Sequence, residues 1–111
     1  MKEKYQSVGL NLDLIEEAFP NLEEYEITLN EYLMDEHFNE LGVCLDEEDY
    51  GMAKDIVKGL YLLAQELRVF PLFETLLEIY EDLEYETYDD ILSHYTDMMF
   101  VHHKILNVLG N

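Results

Sequence analysis

Four histidines, one cysteine and 26 carboxylates are the side chains of this 111-residue chain that could hold a metal, relay a proton or attack an electrophile. Asp90, His94 and Asp97 fall on one face at helical spacing and could touch a metal ion. A di-iron carboxylate centre would need inward Glu residues and two Glu-x-x-His pairs, and no histidine here has Glu three residues before it. His102 falls on an apolar stripe and is expected as a packed ring, while His103, beside Lys104, is expected in solvent. Cys44 lies on an apolar face, which predicts a packed thiol rather than a nucleophile. Neither a phosphate-binding glycine loop nor a Gly-x-Ser-x-Gly elbow occurs, and "LDEEDYG" lacks the alternating ligands of a calcium loop. The chain is therefore expected to be neither an enzyme nor a metal or cofactor protein.

The charge is lopsided: six basic residues against 26 acidic ones, a formal net charge of −20. Binding to nucleic acid or to an anionic membrane depends on Lys and Arg displacing counterions, so both are disfavoured. Basic protein surfaces would be attracted. A second reading of the same charge is an acidic decoy that imitates nucleic acid and inhibits a nucleic-acid-binding protein. Hydrophobic residues make up 49% of the chain, enough for one core, and they are dispersed. No apolar run approaches the roughly 18 residues that span a bilayer. "MKEKYQSVGLNLDLIEE" turns acidic too early for a signal peptide, and a single cysteine excludes an internal disulfide. These features predict one soluble, cytoplasmic domain over residues 1–111.

Helical spacing recurs along the chain, with no clean strand alternation. Asn21 with Glu24 predicts a capping box, followed by the stripe Leu22, Tyr25, Leu29, Tyr32 and Leu33. After a break near Met34–Glu36, a shorter helix carries Phe38, Leu41, Cys44 and Leu45. Asp49 should cap the next helix, about Tyr50 to Leu67, whose expected core positions are Met52/Ala53, Ile56/Val57, Leu60, Leu63/Ala64 and Leu67. Pro71 opens another helix with Leu72/Phe73, Leu76, Ile79/Tyr80 and Leu83. Thr87 with Asp90 reads as the capping signal of the last and longest, which Gly110 stops. Short connections favour antiparallel neighbours, so the expected fold is all-α: an antiparallel four-helix bundle with an additional short N-terminal helix or helices.

The order of these elements, with "YQSVG", "DEHFNELGVCLDEEDYGMA" and "RVFPLFETLLEIYEDLE", resembles the histidine phosphotransfer (HPt) domains of bacterial phosphorelays. The resemblance implies a receiver domain as partner and a His-x-Leu-Lys-Gly site on the helix after the acidic turn. Matching letters puts "DIVKG" there, so Asp55 replaces the histidine while Lys58 and Gly59 are kept. Matching the spacing from Tyr50 to Pro71 puts "KGLYL" there, with Lys58, Tyr61 and Leu62 in place of histidine, lysine and glycine. Neither frame supplies an imidazole, which implies a degenerate module without phosphotransfer. Nor do the other histidines restore the motif, because the third residue on is Asp97 after His94 and Ile105 or Leu106 after His102 or His103. Both frames mark one helix face, so the expected protein-binding residues are Lys54, Asp55, Lys58, Tyr61, Leu62 and Gln65. That face could also pair with a second copy of the chain.

Overall fold

A computed structural model describes residues 1–110. Among the described residues there are seven helices and no strand. They are α1 (Lys2–Gln6), α2 (Leu12–Ala18), α3 (Leu22–Leu33), α4 (His37–Asp46), α5 (Tyr50–Glu66), α6 (Phe70–Glu84) and α7 (Ile91–Leu109). The all-α expectation holds, and the chain begins with two short helices. No described helix is long and apolar enough to cross a membrane.

The helix starts follow local chemistry. The Asn21 side chain accepts from the Glu24 N–H at 3.1 Å, and Asp49 accepts from the Met52 N–H at 3.3 Å, each satisfying an otherwise orphaned donor. Pro71 sits in the first turn of α6, where its missing N–H costs nothing. At the start of α7 the expectation fails. Asp90 occupies the N-cap position without a side-chain capping bond, and the Thr87 hydroxyl instead donates to Asp82 at 3.4 Å. The reason is local: Asp82 lies in the last turn of α6, and Thr87 is taken up in closing that helix rather than opening α7.

Three helix ends share one device. Glu48, Arg68 and Glu86 each adopt a left-handed conformation, with φ of 58°, 63° and 55°. The following N–H then reaches back to the last turn: Asp49 to the Cys44 carbonyl at 2.8 Å, Val69 to Ala64 at 2.9 Å and Thr87 to Asp82 at 2.8 Å. These bonds close α4, α5 and α6 with glycine-type C-caps built from non-glycine residues.

α5 packs against α6 on one side and α4 on the other, α6 packs against α7, and α7 also meets α4 and α3. The core threads through all these contacts, with Phe38, Leu41, Val57, Leu72, Leu76, Ile79 and Met98 nearly solvent-free. Two buried tyrosines tie α3 to α5: Tyr32 donates to the Leu60 carbonyl at 2.6 Å and Tyr25 to the Leu67 carbonyl at 2.7 Å. They fix the side of α5 that faces inward.

Candidate protein-interaction surface

The inward side of α5 is narrower than its apolar spacing implies. Ala53, Val57, Leu60 and Ala64 are buried, and Leu67 just beyond the helix joins them. The expected core positions Met52 and Leu63 are instead 51% and 43% exposed, and Ile56 is half-buried. A helix face needs only about 100° of arc to pack, and Ala53 with Ala64 lets neighbouring helices approach closely on that arc. The remaining apolar residues are left on the flank.

The six expected binding residues divide. Asp55, Lys58, Leu62 and Gln65 are exposed, and Leu62, at 44% exposure, lies opposite the buried stripe. Tyr61 does not belong with them. Its ring meets the edges of Phe73 and Tyr80 at centroid distances of 5.9 and 5.2 Å, so it is half-buried against α6. Lys54 also turns toward α6, with Nζ 2.5 Å from a Glu84 carboxylate oxygen and 5.7 Å from the Tyr80 ring centroid. That hydrogen bond raises the Lys54 pKa and lowers that of Glu84. Asp55 and Lys58, which occupy the histidine position in the two frames of the HPt motif, both face solvent.

Gly59 was not among the expected residues, although it stands inside the motif. Glycine in a helix interior costs about 1 kcal/mol relative to alanine. A Cβ built at Gly59 meets nothing within 4 Å, so no part of the chain needs the missing side chain. Gly42 in α4 is the contrast: a Cβ there would lie 2.6 Å from the Tyr95 hydroxyl oxygen. Internal packing explains Gly42 and leaves Gly59 unexplained. Beside Gly59 runs a hollow of about 340 Å³, lined also by Asp35, His37, Asp55 and Leu63.

The other groups with chemical potential are occupied structurally. His94 turns away from the helix neighbours Asp90 and Asp97 and bridges to α6, with Nε2 2.8 Å from Glu78 and Nδ1 2.5 Å from Asp82. The Asp82 hydrogen bond, helped by the charge of Glu78, raises its pKa. Because the two carboxylates flank opposite ring nitrogens, the arrangement favours the protonated imidazole rather than presenting ligands to one point. Among the described residues no group of three or more His, Cys, Asp or Glu side chains could hold a metal ion. His102 is buried, as its stripe position predicts, and Nε2 donates to the Leu33 carbonyl at 2.6 Å at the end of α3. Burial lowers its pKa and leaves Nδ1 without a partner. Cys44 is buried, which raises its thiol pKa and disfavours the reactive thiolate. No family model, curated protein or solved structure matches this chain.

Proposed function

We propose that this chain is a non-catalytic docking module of HPt-like design. In this reading α4 to α7 form an antiparallel four-helix bundle, and the outward face of α5 binds a protein partner, a response-regulator receiver domain, without accepting a phosphoryl group. The observation that carries it is Gly59: a helix-weakening residue that nothing in the chain packs against, beside exposed Lys58 and Leu62. The open space at Gly59 leaves room for close approach of an external surface. The absence of an imidazole on α5 accounts for the missing chemistry, because neither an aspartate nor a lysine forms a phosphohistidine.

The test separates binding from transfer. Phosphorylated receiver domains are mixed with the purified chain, and complex formation and label transfer are read independently. The proposal expects a complex, no label on this chain, and weaker binding for Gly59→Arg and Lys58→Glu. Label on the chain would overturn the non-catalytic part, and no complex with any receiver would overturn the partner. An acidic decoy gives the opposite pattern: reversing several of Glu47, Glu48, Glu81 and Glu84 would abolish binding while Lys58→Glu would not.

A further inference from the structure

Two hollows lie side by side along the flank of α5, with Asp35 and Leu63 bordering both. The larger, about 710 Å³, lies between the α2–α3 corner and the last turns of α5, with Phe19, Tyr32 and Leu67 on its walls. The smaller reaches back past Gly59 to Asp55. From Asp55 to Glu66, the last residue of α5, the helix rises about 17 Å, so the trough formed by the two hollows together matches a partner helix of about 11 residues.

The trough has apolar walls and acidic edges. Glu31, Asp35 and Glu66 border the larger hollow, and Asp55 borders the smaller. Its one arginine and one histidine are already engaged. The Arg68 guanidinium donates to the Gln65 and Glu66 carbonyls at 3.1 and 3.0 Å, capping α5, and His37 Nδ1 lies 2.6 Å from Asp35. No described element is a strand, so an extended peptide would find no sheet edge to extend. A helix brings its own backbone hydrogen bonds and needs only an apolar stripe.

We infer that this trough takes a cationic amphipathic helix from a partner protein, its apolar stripe against Leu63 and Phe19 and its Lys or Arg residues over Glu31, Asp35 and Glu66. The net charge of −20 speeds the encounter, and the edge carboxylates set the orientation. A second copy of this chain does not fit, because none of its helices carries more than two basic residues and one of the pair on α5, Lys54, is already bound to Glu84. The inference goes beyond the receiver-docking reading: the two surfaces meet at Asp55 and Gly59, but the trough extends along the Leu63 flank of α5 and does not depend on what covers Lys58.

The probe is a fluorescein-labelled Leu/Lys amphipathic peptide of about 14 residues, with a Leu/Glu peptide of the same pattern as control. Binding is followed by anisotropy at about 0.15 M salt, where long-range attraction is screened beyond about 8 Å. The Leu/Lys peptide should bind one to one and the Leu/Glu peptide should not. Leu63→Glu, and separately the pair Glu31→Lys with Glu66→Lys, should each weaken binding at least about tenfold. The pair Glu81→Lys with Asp97→Lys makes the same change in net charge outside the trough and should weaken it less than about threefold. Lys58→Glu should leave peptide affinity unweakened, which separates this inference from the receiver reading. Equal loss in the two charge-reversed pairs, wild-type affinity for Leu63→Glu, or binding of the Leu/Glu peptide would each overturn it. Amide chemical-shift changes in the unmutated chain provide a check that requires no variant: they should cluster on α3 and the Leu63 flank of α5, and a dispersed pattern would also overturn the inference.

Discussion

His94 on α7 and Asp82 on α6, twelve residues apart in sequence, meet at 2.5 Å across the last inter-helix connection. With Glu78 on the opposite ring nitrogen, the His94 ring is held between two carboxylates, and the charge of Asp90 at the start of its own helix acts in the same direction. Its pKa is raised, first by the Asp82 hydrogen bond. A raised folded-state pKa contributes stability that is complete below the unfolded value of about 6.5 and is lost as pH rises through the folded value. The Tm difference between wild type and His94→Gln should therefore shrink as pH rises from about 6 to 8. A difference that stays constant over that range would mean the pairing carries no proton.

His102 should behave in the opposite sense. Burial lowers its pKa, so its neutral form contributes stability above the unfolded value and loses it as pH falls. His102→Gln, which does not titrate, should be the less stable protein at neutral pH because it disturbs a buried site. The gap to wild type should narrow between about pH 7 and 5, as read by thermal unfolding.

Two helical glycines should respond with opposite signs to the same substitution. Gly59→Ala should stabilise the chain by about 1 kcal/mol, because the methyl group enters open space and the helix gains propensity. Gly42→Ala should destabilise it by about 1–3 kcal/mol, because the new Cβ displaces Tyr95 and threatens its 2.7 Å hydrogen bond to the Phe38 carbonyl. Denaturant midpoints for the two variants check both signs.

Glu86 carries a left-handed backbone at the end of α6, where a Cβ is unfavourable. It is exposed, so its side chain adds little packing. Glu86→Gly should raise stability by about 1 kcal/mol, with the Thr87 to Asp82 closing bond retained. Chemical denaturation reads the change directly, and a loss of stability would show that the strain is absent.

Helices and caps were legible in the residues because the interactions that form them are local. Asn21 and Asp49 bond within three residues, and Phe38, Leu41, Cys44 and Leu45 repeat within one helix. His102 was recognisable as a packed ring from its register alone. The candidate surface was only partly legible. Spacing placed Lys54, Asp55, Lys58, Tyr61, Leu62 and Gln65 on one arc, but it could not say which edge of that arc a neighbouring helix would cover.

Packing decided that question. α6 took Tyr61 and Lys54, the alanines of α5 drew the core stripe inward, and Met52 and Leu63 were left outside. The same is true of His94, whose partners are carboxylates on another helix rather than the Asp90 and Asp97 beside it in register. It is true also of the two glycines, alike in sequence context but facing a tyrosine in one case and open space in the other. From composition and register alone follow an acidic, single-cysteine chain, helix-forming stripes and an α5 without an imidazole. Only the tertiary structure decided the rotation of each helix about its axis, because that depends on shape complementarity between residues far apart in the chain.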